Sequence, residues 1–258
     1  MNILEKIVEN KKLEIEERSK IISLDRIKDS QRLFSIRDFS GQLKKKKIQV
    51  IAEIKRRSPA VGDIDMQANP ALIAQNYAKN GAACISVLTD QNYFGGQLQF
   101  IHDVKSAVDI PVLRKDFIIS EYQVWESFHA GADAILLIAD IMEMEILKDL
   151  HALSCELGLH VLLETHNESH IRLFDEIKPS IIGFNCRDLQ TMKTDINFFK
   201  KIILDLSNQP VWVAESGISS FEDLKFVFEL GFDAALIGTH LMSSTDPGVA
   251  LSGLLRSA

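Results

Sequence analysis

Cysteine is scarce. Cys84, Cys155 and Cys186 are odd in number, widely spaced and form no C-x-x-C pair, which excludes a disulfide framework and a cysteine-built zinc site. Proline is scarce as well, with 6 in 258 residues against 46% hydrophobic residues, so the chain must pack a core rather than remain disordered. A basic excess is missing: Lys+Arg 29 against Asp+Glu 36 gives a net charge of −7, which disfavours nucleic acid and anionic membranes as partners. No apolar run approaches the ~20 residues that a bilayer span needs. The stretch MNILEKIVENKKLEIEERSK lacks the apolar core and small-residue cleavage site of a signal peptide, so the expected location is the cytoplasm. An anionic small substrate would then require a pocket that is locally basic.

What is present has a rhythm. Residues 1–46 read as an N-terminal helical extension, in which Ile3, Leu4, Ile7, Val8, Leu13 and Ile15 gather near one side of an amphipathic helix. The run Lys44-Lys45-Lys46-Lys47 reads as a solvated approach to the first strand. From there on, eight short apolar runs alternate with amphipathic stretches: IQVIAEI, AACISVLT, IPVLRKD, DAILLIA, LHVLLET, SIIGFN, VWVAES and DAALIG. Nearly continuous apolarity is what strands covered on both faces require. The segments GAACISVL, GADAILLI and GFDAALIG repeat a glycine before a strand, as expected of a left-handed helix C-cap leading into a parallel strand. SSFED offers a serine N-cap with acids in the first turn of a helix. Eight such units predict one (β/α)8 TIM barrel over residues 1–258, including the extension. A doubly wound open sheet is the alternative, but no G-x-G-x-x-G follows the first strand.

Barrels of this kind place their chemistry at the C-terminal ends of their strands. Those positions hold Glu53 and Lys55, Lys115, Glu164, Asn185, and Glu215 with Ser216. So many ionisable groups at the ends of apolar strands are costly unless they pair with one another or with a ligand. Gly217 and Gly238-Thr239 fall in the loops after the seventh and eighth strands, where a backbone phosphate site is common, with Arg56 and Ser58 available to close it. His166 and His170 in HNESH have the i, i+4 spacing of a zinc helix, but no glutamate directly follows the first histidine, so no metal is expected there.

These residues lie in AEIKRRSP, SVLTDQNYFGG, PVLRKDFIIS, GADAILLI, LLET, IGFNCRDL, VAESGIS and LIGTHLM, which occur in this order. Across essentially the whole chain they resemble the indole-3-glycerol phosphate synthase family. The resemblance implies conversion of 1-(2-carboxyphenylamino)-1-deoxyribulose 5-phosphate to indole-3-glycerol phosphate, with loss of CO₂ and water and with neither cofactor nor metal. It implies that Lys115 is the general acid at the ketone, and that Glu164 is an acid/base or cation-stabilising carboxylate. Lys55 would hold the anthranilate carboxylate, and the two lysines could exchange roles in the dehydration. Glu53, Asn185, Glu215 and Ser216 would orient the lysines and bind substrate. Arg56, Ser58, Gly217, Gly238 and Thr239 would hold phosphate. Phe94, Phe117, Leu136 and Ile237 would form the apolar wall, with Arg187 and Leu189 beside it. Ala60 stands where the family often has serine, and Cys186 where a polar residue is commoner. A phosphoribosyl isomerase and a catalytically silent phosphosugar-binding barrel are the competing readings; the first would need a different acid/base pair, with Cys and Asp expected in strands one and six. Monomer and dimer are both allowed.

Overall fold

The computed structural model describes residues 3–167, 170–188, 191–202 and 210–256. Eight parallel strands close into a barrel: β1 (Gln49–Ile54), β2 (Cys84–Leu88), β3 (Val112–Lys115), β4 (Ala134–Ile138), β5 (His160–Thr165), β6 (Ile181–Asn185), β7 (Val211–Glu215) and β8 (Ala234–Ile237). Pairing of β1 with both β2 and β8 leaves no free edge. Each of the eight apolar runs contains one of these strands.

Strand parity sorts the side chains, because successive residues point to opposite faces. Ile51, Leu113, Leu162, Ile181, Val213 and Leu236 point inward and fill the barrel. Their neighbours Ala52, Val112, Val161, Ile182, Trp212 and Ala235 point outward and meet the helices. The inward parity carried to the strand ends brings Glu53, Lys55, Lys115, Glu164, Asn185 and Glu215 to the interior of one mouth.

Local signals set the connections. Ser220 caps the helix Phe221–Glu229 in a reciprocal capping box with Asp223, as SSFED predicted. The repeated glycine before a strand is left-handed in all three copies, at Gly81, Gly131 and Gly231.

Among the described residues the N-terminal extension holds three helices, α1 (Ile3–Ile21), α2 (Leu24–Lys28) and α3 (Phe39–Leu43). Phe39 and Leu43 of α3 are fully buried among the inward-facing side chains, so this short helix plugs the barrel's lower end. The Lys44–Lys47 run is exposed, as its charge requires. Helix α1 departs from the expected apolar stripe: it buries Ile7 and Lys11, while Leu13 is left 61% exposed. Lys11 is 1% exposed because its ammonium lies 2.9 Å from Asp90, 3.0 Å from Asp116 and 2.8 Å from Glu14. Asp116 is further held by buried Arg114 at 3.1 Å and by the Thr89 hydroxyl at 2.6 Å. This buried network ties α1 to the loops that carry Phe94 and Phe117. Removing one partner from such a network strands the remaining charges in low dielectric. Lys11→Met is therefore expected to lower stability by about 3–5 kcal/mol, read as a fall in the urea midpoint with the m-value unchanged.

Candidate active site

The barrel mouth encloses a cavity of about 610 Å³, within the range of small-molecule sites. Glu53, Lys55, Ser58, Lys115, Glu164, Asn185, Glu215, Ser216, Gly217, Gly238 and Thr239 line it, as do Phe94, Phe117, Leu136 and Ile237. Of the sequence candidates among the described residues, only Arg56 is not brought to it. The Arg56 guanidinium lies 5.3 Å over the Phe100 ring and donates to the Met66 carbonyl, two local partners that draw it away from the mouth. Arg57 pairs with Asp63 on the exposed two-stranded ribbon beyond β1. Arg187 does line the cavity, with Nη1 donating to the Met192 carbonyl at 2.9 Å; Leu189 lies outside the described residues.

The charged groups form two buried sets. In the first, Lys115 Nζ lies 3.0 Å from Glu164 Oε2 and 3.2 Å from Glu215 Oε2. Asn185 Nδ2 donates to Glu164 Oε1 at 3.3 Å, while its Oδ1 accepts the Arg187 backbone N–H at 3.0 Å, which fixes the amide's orientation. In the second, Lys55 Nζ lies 2.8 Å from Glu53 Oε1.

Protonation follows from this arrangement. Burial by itself would push the Lys115 ammonium down, but Glu164, Glu215 and Glu53 together hold it well above the ordinary lysine value. The neighbouring acids thus outweigh any depression by a second lysine. Burial also opposes the Glu164 charge, yet Lys115 and His166 bring that carboxyl down to about 2. Glu215 goes the other way: burial and the adjacent Glu164 charge raise it well above the carboxylate range, against the pull of Lys115. One buried acid is therefore kept ionised and its neighbour keeps its proton, the usual result when two carboxylates share a site.

Two glycines make room for these acids. A Cβ at Gly183 would lie 2.2 Å from Glu215 Oε1, and one at Gly238 would lie 2.1 Å from Glu53 Oε1. Gly238 lies at φ −126° and ψ −69°, and the space that a side chain would need there is taken by the Glu53 carboxyl group. Gly238→Ala is expected to turn buried Glu53 away from Lys55, lowering the thermal transition while the barrel still folds, with turnover falling about tenfold or more. A melt and steady-state kinetics on the same sample check this.

At the end of β7 the backbone turns through two consecutive left-handed residues, Ser216 at φ 69° and Gly217 at φ 71°. For Ser216 that conformation costs about 1–3 kcal/mol. Across the ring of eight strands, this loop and the one after β8 face β3 and β4, which bring Phe117 and Leu136. The Phe94 and Phe117 rings lie 6.1 Å apart at 37°. Ile237 packs its side chain between barrel and helices, whereas Leu236 takes the inward position of the wall. The sequence reading also missed Asp116, Ser219, His240, Ser243 and Ser244, all at the cavity wall. Only their position after a strand end marked them.

His166 and His170 both turn towards Asp140, at 3.2 Å and 3.8 Å. Among the described residues no cluster of His, Cys, Asp and Glu has the arrangement to hold a metal ion, and no helix is long and apolar enough to cross a membrane.

A closed parallel barrel with paired acids and ammonium groups around a ligand-sized mouth defines the class: a (β/α)8-barrel enzyme. Within that class, the family description "indole-3-glycerol phosphate synthase" matches residues 4–254. The indole-3-glycerol phosphate synthase of Chromobacterium violaceum is 42% identical over 222 residues, covering 84% of each chain. That of Polynucleobacter necessarius is 41% identical over 98% of each chain. This chain belongs to the indole-3-glycerol phosphate synthase family. Thiamine phosphate pyrophosphorylase from Pyrococcus furiosus superposes with a TM-score of 0.61 at 15% identity, covering 85% of this chain and 96% of its own, and shares the fold alone.

Proposed function

We propose that this chain converts 1-(2-carboxyphenylamino)-1-deoxyribulose 5-phosphate to indole-3-glycerol phosphate, in the cytoplasm and for tryptophan biosynthesis. The observation that carries the reading is the Lys115 side chain held between the buried carboxyl groups of Glu164 and Glu215, facing the cavity that Lys55 also lines. The substrate's aromatic ring packs on Phe94, Phe117, Leu136 and Leu236, and its carboxylate meets an ammonium group, Lys55. Its phosphate sits across the mouth at Ser58, Ser216, Gly217, Gly238 and Thr239, where glycine lets the backbone approach an anion closely.

Ring closure joins the carboxylate-bearing ring carbon to the ketone carbon, and negative charge grows on the ketone oxygen. Lys115 donates its proton there and stabilises that charge. Glu215, which burial and the Glu164 charge keep protonated above the ordinary carboxylate range, is placed to reprotonate Lys115. Breaking the ring's aromaticity leaves positive charge shared with the substrate nitrogen, and ionised Glu164 offsets it. CO₂ then leaves without the electron pair of its bond, and the pair neutralises that cation. Finally the new hydroxyl departs as water, protonated by an ammonium, and loss of a proton from the adjacent carbon completes the indole.

Incubation with the carboxyphenylamino substrate should produce indole fluorescence that tracks enzyme concentration. Folded protein that gives none, yet turns over a phosphoribosyl isomer, would support the isomerase reading instead.

A further inference from the structure

His166 lies two residues beyond Glu164 and takes no part in the chemistry above. Its backbone N–H and its Nδ1 both meet the same oxygen of Asp140, at 3.0 Å and 3.2 Å. An ionised carboxylate only accepts, so Nδ1 carries a hydrogen. The other ring nitrogen, Nε2, is buried without a hydrogen-bond partner and faces Glu164 Oε1 at 3.7 Å. With Nδ1 protonated, a neutral imidazole would aim the Nε2 lone pair at that carboxylate oxygen and repel it. An imidazolium instead donates from both nitrogens, and a small rotation of either side chain closes the gap to a charge-assisted hydrogen bond.

We propose that His166, clamped by Asp140, is a positioning residue that docks as an imidazolium on Glu164 and holds its carboxylate ionised and aimed at the cation formed on ring closure. This deepens the functional reading above and rests on it. Lys115, Asn185, protonated Glu215 and His166 then all favour the Glu164 charge. The groups around His166 act in both directions. Asp140, after β4, and Glu164, on β5, favour its charge; Lys115, on β3, opposes it; His170 shares Asp140 at its second oxygen; Glu215 acts through Lys115 and Glu164. Burial disfavours the charged ring, and the two acids outweigh it, so the ring titrates above its ordinary value. Its contribution is complete below that titration and is lost as pH rises through it.

The test is an NMR titration of the histidine rings in the full chain, assigned with His166→Gln, alongside turnover against pH. The His166 ring should titrate above the usual histidine range, and Asp140→Asn and Glu164→Gln should each move that titration to lower pH. His166→Gln should lower turnover about tenfold, short of the 10²–10³ of a directly acting donor. It should leave KM and the melting transition in place and abolish the alkaline fall in turnover expected of the wild type. A ring that stays neutral at pH 6 and above, or that titrates indifferently to Asp140→Asn and Glu164→Gln, overturns the proposal. So does a His166→Gln variant whose pH profile keeps the wild-type shape. If the wild type shows no synthase turnover, the functional reading fails, and the titration still decides the contact with Glu164.

Discussion

Lys115→Met lowers turnover on the order of 10³-fold with KM changed only a few-fold, because the variant loses two contributions together. The first is the proton and positive charge delivered to the ketone oxygen, for which a positioned acid supplies about 10²–10⁴. The second is indirect. Lys115 is the main reason that buried Glu164 stays ionised; without it, two adjacent carboxyls share no cation, and Glu164 moves up towards neutrality. Methionine keeps most of the volume and the barrel fold. Steady-state kinetics with far-ultraviolet circular dichroism check both parts. A folded variant within about tenfold of wild type would remove Lys115 from the chemistry.

Glu164→Gln is expected to cost on the order of 10³-fold in turnover as well, through a loss of charge rather than of a donor. The amide still fills the space between Lys115 and Asn185, so substrate binding is largely kept, and kcat and kcat/KM fall together. The substitution also leaves Lys115 with a single acid in direct contact, Glu215, whose carboxyl falls towards its normal range once the neighbouring charge is gone. The turnover that survives should therefore depend on pH differently from the wild type, following Glu215. An unchanged profile at unchanged rate would mean that Glu164 only supports the fold.

The barrel was legible because eight apolar runs, three of them announced by a left-handed glycine, leave little freedom in how the chain closes. Glu53, Lys115, Glu164, Asn185 and Glu215 were legible for a related reason. Each falls at the end of a strand at the parity of its inward-facing residues, so naming the strand names the side chain that reaches the mouth.

What escaped the sequence depends on partners far along the chain. Arg56 has the charge to hold a phosphate, but the Phe100 ring and the Met66 carbonyl capture it. Lys11 looks like one more solvated lysine of an amphipathic helix until Asp90 and Asp116 arrive from two different loops. Leu236 and Ile237 differ by one residue, and that parity alone decides which of them points into the barrel. His166 was visible as half of an i, i+4 pair, a pattern whose usual meaning is metal. Its meaning here rests on Asp140, which the turn after β4 supplies.

The central claim is that side chains from all around the barrel act on one ligand held in one cavity. A crystal structure with indole-3-glycerol phosphate bound tests it most directly. The account predicts phosphate within hydrogen-bonding distance of Gly217 and the Gly238-Thr239 loop, with the indole ring against Phe117 and Leu136 and within reach of Lys55 and Lys115. Phosphate bound outside the mouth, or a ligand that touches one lysine while the other faces solvent, would contradict it.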